Sequence, residues 1–114
     1  MITVSLALAT ICFAGNCYPV LLGEKTPTGV FSLQHARVLD PAYGGDVLAF
    51  GHMQDGRPLA LHRVWLGSPK QQRLERLAGP SSGRVGITSG CINLDAKVYE
   101  ALRDCCKDDL LSIK

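Results

Sequence analysis

Residues 2–9 alternate strictly. Ile2, Val4, Leu6 and Leu8 hold one parity, and Thr3, Ser5, Ala7 and Ala9 hold the other. A period of two places each set on one face of an extended chain, so the segment predicts a strand with one buried face. A secretory leader would need a basic start ahead of its apolar run. No Lys or Arg occurs before Lys25. The run is also too short to cross a bilayer as a helix. These residues are therefore expected to stay in the sheet, in a cytoplasmic protein with no membrane span.

Twelve glycines and six prolines in 114 residues are many for a helical bundle and suggest short strands joined by turns. The length suits one domain, 1–114. A hydrophobic fraction of 46% against 19% charged residues is enough to bury a core. Residues 2–13 and 17–23 read as a hairpin around Ala14-Gly15-Asn16. GEKTPTG (23–29) reads as a turn. Strands are expected over 30–38, 47–53 and 58–65, separated by a loop at 40–46 and a turn at Asp55-Gly56. A polar stretch, 66–83, contains about two turns of helix in KQQRLERLA. Residues 84–94 return to strand and turn. Residues 95–106 form the clearest helix, with Asp95 as N-cap and Val98, Leu102 and Cys105 or Cys106 as its apolar stripe. Residues 109–114 close the sheet. The pattern is mainly β (α+β).

The net charge of +2 argues against general nucleic-acid binding. The five cysteines include no CxxC pair, and the three histidines are scattered, so neither a zinc site nor any other cofactor is expected. Cys12 and Cys17 could face each other across the hairpin, but free thiols fit a reducing cytosol better. Cys105 and Cys106 are adjacent and would bridge only with strain, so they too are expected as thiols.

Cys91 differs from the other four. It follows Ser89-Gly90 and precedes a helix start. Gly90 permits close approach of a substrate to the backbone. The amides around it could converge on a developing oxyanion. A Gly-Cys pair also occurs as plain packing at a strand end, and a histidine in an apolar strand is often simply buried. A nucleophilic thiol needs a base, and sequence spacing alone does not choose among His35, His52 and His62.

Three motifs, TPTGVF (26–31), ALHRVW (60–65) and ITSGCINL (87–94), occur in that order, and together the chain resembles the L,D-transpeptidase (YkuD) catalytic domain over about residues 17–98. The resemblance implies a mainly β sandwich or barrel-like sheet with one helix after the nucleophile. It implies Cys91 as acyl-accepting nucleophile, His62 as general base oriented by a backbone carbonyl, and the Gly90 and Cys91 amides as oxyanion hole. Thr88 and Asn93 match signature positions flanking the cysteine. The chain departs from the common pattern at Ser89, where many members carry His, and at Arg63, where many carry Gly or Ser. Cys91 follows His62 by 29 positions, a longer gap than is usual, and the extra length at 66–83 suggests a lid.

Arg63, Lys70, Arg73, Arg76 and Arg84 fall within residues 63–84, with Glu75 as the only acid. Such a run is either a solvated face or a rim that binds substrate carboxylates, since Arg grips them bidentately. Arg84, close before Cys91, is the first candidate; Arg63, Asn93, Thr88 and Ser89 complete the expected substrate-binding set. The implied partner is a peptidoglycan stem peptide or soluble muropeptide. The implied reaction is release of terminal D-Ala from a tetrapeptide stem, an L,D-carboxypeptidase activity in murein recycling. The alternatives are a transpeptidase forming 3-3 cross-links or exchanging D-amino acids, and an inactive relative that binds muropeptide or protein.

Overall fold

The computed structural model describes residues 1–114 and is built from two mixed sheets, two α-helices and three 3-10 turns. The first sheet contains β1 (Ile2–Ser5), β2 (Thr10–Phe13), β3 (Asn16–Pro19), β4 (Gly29–Phe31) and β9 (Leu111–Ile113). Its order is β3-β2-β1-β9-β4, with β1 at the centre and parallel to β9. The second sheet contains β5 (Gln34–Arg37), β6 (Asp46–His52), β7 (Pro58–Arg63) and β8 (Ile92–Leu94), in that order. β7 and β8 are parallel neighbours, with Leu61 opposite Ile92 and His62 opposite Asn93.

Ile2 and Val4 are fully buried, as the alternation requires. The alternation does not continue as one strand to residue 13. The chain reverses at 6–9, and β2 pairs back on β1 with Val4 opposite Ile11. Ser5 Oγ accepts from the Leu8 amide at 3.1 Å, and Ala9 takes a positive φ of 51°. Leu8 is left exposed. A second reversal at Ala14-Gly15, both with positive φ, brings Cys12 directly opposite Cys17.

Those two cysteines are bonded to each other, and so are Cys105 and Cys106; only Cys91 is free. This corrects the expectation of thiols at all four positions.

The buried faces of both sheets share one apolar cluster. Ile2, Val4, Ile11, Leu111 and Ile113 come from the first sheet, and Leu48, Phe50, Leu59, Leu61, Ile92 and Leu94 from the second. Helix α2 (Ala96–Cys106) adds Tyr99 and Leu102. Asp95 caps it as expected, accepting from the Lys97 and Val98 amides. Its buried stripe is Tyr99 and Leu102, with Val98 and Cys106 only partly covered and Cys105 exposed. β7 is covered on both faces: Leu59, Ala60, Leu61 and His62 are all buried.

Residues 66–83 hold a 3-10 turn at Pro69–Gln71, the short helix α1 (Arg73–Leu77) and a 3-10 turn at Ser81–Gly83. Within 84–94, expected as strand and turn, the regular strand is Ile92–Leu94. Before that, Gly86 has a φ of 69°, and the Ile87 and Thr88 amides both donate to the Leu22 carbonyl. The strand therefore gives way to a loop that crosses residues 22–23 and delivers Cys91 to the start of β8.

Candidate active site around Cys91 and His62

The parallel register of β7 and β8 explains how a thiol and an imidazole distant in sequence come to one side of the sheet. Residues two apart on a strand share a face. Cys91 and Asn93 therefore project to the side that carries Ala60 and His62. His62 is 2% exposed and Asn93 is fully buried.

The imidazole has a fixed tautomer. Nδ1–H donates to the Arg63 carbonyl at 2.6 Å, which leaves Nε2 as an acceptor. Asn93 Nδ2 faces Nε2 at 3.4 Å. The Asn93 amide cannot be turned the other way, because its Oδ1 already accepts from Arg73 Nη1 at 2.9 Å and from the Trp65 amide at 3.4 Å. The Tyr43 ring meets the imidazole edge-on, with centroids 4.7 Å apart. Burial pushes the His62 pKa down to about 4; the Arg63 carbonyl opposes this and the Arg73 charge adds to it. His62 is thus a neutral base at neutral pH.

Cys91 is half-buried, and its thiol donates to the Pro58 carbonyl at 3.6 Å rather than to His62. Burial raises its pKa, outweighing the Ala60 amide and the charges of Arg73 and Arg57. Both shifts disfavour a preformed thiolate–imidazolium pair. The site therefore holds a neutral thiol and a neutral imidazole, and for the thiol to hand its proton to Nε2, Sγ would have to leave the Pro58 carbonyl.

The loop before Cys91 is held from three sides. Thr88 Oγ1 donates to the Cys91 carbonyl at 2.6 Å. Thr26 Oγ1 donates to the Gly90 carbonyl at 2.9 Å and itself accepts from the Gly23 amide at 2.9 Å. Gly90 is buried, and a Cβ there would come within 2.7 Å of a Leu59 methyl and 3.2 Å of the Met53 sulfur. The amides of Gly90 and Cys91 donate to no protein acceptor. They are the pair expected to meet an oxyanion. Beside the loop, Met53 and Leu59 also line a cleft of about 640 Å³ with Lys25, Pro27, Phe31 and His52.

The structure thus brings Cys91, His62, Gly90, Thr88 and Asn93 together. Ser89 lies exposed beside them and makes no side-chain hydrogen bond. It does not bring Arg84 to the thiol. That side chain is buried, and its guanidinium donates to the Gly79, Leu8 and Ala9 carbonyls, tying the 79–84 turn to the 6–9 reversal. Nor does Arg63 reach the site. It is next to His62 on β7 and so faces the opposite side. There it pairs with Asp46 at 2.7 Å and Glu100 at 3.2 Å and stacks on Tyr99 of α2. Burial alone would raise the Asp46 pKa, but hydrogen bonds from Arg63, His35 and Arg103 hold it far below the usual carboxylate range. Substrate binding by Arg84 and Arg63 is therefore replaced by two structural roles. His35 is spent on Asp46, and His52 is exposed on the cleft.

Sequence reasoning missed Tyr43 as a site residue, and it did not single out Arg73 from the basic run. Tyr43 ends a 3-10 turn that Asp40 caps and that stops at Gly44, with φ 79°. The Asp-Pro start and Gly-Gly end of that turn are readable, but the direction of the ring is not.

No protein-family model and no curated protein matches this sequence. Solved structures do resemble it in shape. The L,D-transpeptidase LdtMt1 in complex with imipenem superposes with a TM-score of 0.58 at 18% identity, over 99% of this chain and 57% of the other. An L,D-transpeptidase from Mycobacterium smegmatis gives 0.58 at 17% identity, with the same coverage. The Ldtfm-avibactam carbamoyl enzyme gives 0.58 at 16% identity, over 99% of this chain and 47% of that one. The chain spans about half the length of these structures. Its two mixed sheets, with the helix after Cys91, have the L,D-transpeptidase fold.

Proposed function

We propose that this protein is a cysteine acyl-enzyme that cleaves the L,D bond of peptidoglycan tetrapeptide stems and releases terminal D-Ala to water. The observation that carries the reading is the joint placement of a lone free thiol, a buried neutral imidazole and two unpaired amides where β7 and β8 run side by side.

Cys91 Sγ attacks the carbonyl carbon of the third stem residue, and its proton passes to His62 Nε2. The carbonyl oxygen, now carrying the negative charge, is held by the Gly90 and Cys91 amides. Collapse of the tetrahedral intermediate breaks the C–N bond, and His62 returns the proton to the departing D-Ala nitrogen. The thioester is then attacked by water, from which His62 takes a proton. Sγ leaves and is reprotonated, and a tripeptide carboxylate is released.

Water rather than an amine is the favoured acceptor because the cation without a carboxylate partner that acts on the thiol is Arg73. It would repel the ammonium form of an acceptor amine. Incubation with a soluble tetrapeptide muropeptide, with and without an amine acceptor, tests this by the mass of the products. Tripeptide should dominate in both. A majority of 3-3 linked or D-amino-acid-exchanged products would make the protein a transpeptidase. Unchanged tetrapeptide in both would make it a non-catalytic binding relative.

A further inference from the structure

In the basic run on residues 63–84, Lys70 is exposed without a partner and three arginines are held by the protein, which leaves Arg73. Arg84 is bound to backbone carbonyls and Arg63 to Asp46 and Glu100. Arg76 donates to the Gln71 carbonyl at 3.0 Å on an exposed surface. Arg73 is half-buried, and no carboxylate lies within ion-pairing distance of it.

Its placement is built. Gln72 takes the left-handed conformation, φ 51° and ψ 44°, where a non-glycine side chain is disfavoured. That turn ends the Pro69–Gln71 segment and starts α1 with Arg73 directed back at the sheet. The guanidinium lies over the Trp65 ring, 5.0 Å from its centroid. Nε donates to Gln71 Oε1 at 2.7 Å, and Nη1 donates to Asn93 Oδ1 at 2.9 Å. Nη2 donates to nothing in the protein. A partly desolvated cation with a free Nη2 donor and no counter-ion is suited to receive an anion in a charge-assisted hydrogen bond.

We infer that Arg73 is a specificity residue that receives a substrate carboxylate next to the scissile carbonyl, selecting anionic over neutral or amidated substrates at Cys91. The inference rests on the acyl-enzyme reading for the identity of the substrate, but not for the attraction itself. Asn93 links Arg73 to His62, and the Arg73 charge also acts on Cys91 and Tyr43. The anion site and the reacting groups are therefore one cluster.

Alkylation of Cys91 separates the two ideas, because Cys91 is the single free thiol. Iodoacetate and iodoacetamide both react by attack of Sγ on the methylene carbon with loss of iodide, and each forms a thioether. They differ only in carrying a carboxylate or a neutral amide. The iodoacetate-to-iodoacetamide rate ratio, read by intact mass, cancels any change in thiolate fraction. Arg73→Gln should lower that ratio roughly tenfold, the scale of one partly screened ion pair. Arg73→Lys should keep about half or more of it. Arg57→Gln should change it by less than about twofold, because Arg57 is already paired with Asp55 at 2.8 Å. Circular dichroism and a cooperative melting transition would show that the Arg73 variants are folded; the iodoacetamide rate itself should fall, because the Arg73 charge favours the thiolate. An unchanged ratio in a folded Arg73→Gln protein, or an equal fall in Arg57→Gln, overturns the inference. Because neither reagent is a peptide, the result stands whether or not tetrapeptide is cleaved.

Discussion

Thr26 and Gly90 are 64 residues apart in the chain and joined by a hydrogen bond of 2.9 Å, the Thr26 hydroxyl donating to the Gly90 carbonyl. Through it the TPTGVF turn fixes the loop that carries Cys91. Thr26→Val keeps the shape and removes the hydroxyl. It should cost about 1–2 kcal/mol of stability, the usual scale for a buried hydrogen bond left unmade, and should lower acylation of Cys91 by more than the stability loss explains. Thr26→Ser should restore both. Urea denaturation paired with single-turnover acylation checks this.

Gly23 and Gly90 should respond differently to alanine. A Cβ at Gly23 would meet the Thr88 carbonyl oxygen and, at 2.6 Å, the Gly90 amide nitrogen. These are backbone atoms of the cysteine loop. A Cβ at Gly90 would meet the ends of Leu59 and Met53, which can move. Gly23→Ala should therefore destabilise the protein by about 3 kcal/mol or more, and Gly90→Ala by about 1–2 kcal/mol. Comparing the two melting curves decides it.

His62 should make stability fall in mildly acidic solution. Its folded pKa of about 4 lies below the ordinary histidine value near 6.5. Between those values the unfolded chain binds a proton that the folded chain refuses. Its contribution is complete above pH 6.5 and is lost as pH falls toward 4, by roughly 3 kcal/mol in total. His62→Gln should lack this component between pH 6.5 and 4. Denaturant midpoints measured across that range for both proteins give the difference directly.

Arg84 should behave as a structural residue. Arg84→Ala leaves the Gly79 and Leu8 carbonyls without their donor and the Ala9 carbonyl with the Val20 amide alone. The variant should lose about 2–3 kcal/mol of stability, yet retain a KM within about twofold at a temperature where it is folded. A large KM rise in the folded variant would return Arg84 to the substrate rim.

Much of this architecture was legible, and the gaps have physical causes. The parity of Ile2 and Val4, the Asp95 cap and the run around His62 each state a local preference that the tertiary fold keeps. The break at residues 6–9 was not legible, because no Gly, Pro, Asn or Asp marks a turn that Ala9 completes with positive φ. Cys91, Gly90 and His62 could be named from motifs, since each needs a particular residue type. The arginines could not be sorted, because every one has the same chemistry until the fold gives it a partner. Arg84 found carbonyls, Arg63 found Asp46, and Arg73 alone kept a free edge beside the thiol. Arg63 was sorted by the face of β7 it occupies, and Arg73 and Arg84 by the turns that precede them.

The central claim is that Cys91 carries an acyl group, and intact-mass analysis of the protein mixed with tetrapeptide muropeptide tests it most directly. On rapid acid quenching, the wild-type protein should gain the mass of the tripeptide-containing muropeptide fragment, less the elements of water, at Cys91. Cys91→Ala should gain nothing, and His62→Ala should acylate at least about a hundredfold more slowly. The same adduct on Cys91→Ala, or D-Ala release by that variant at the wild-type rate, would contradict the account.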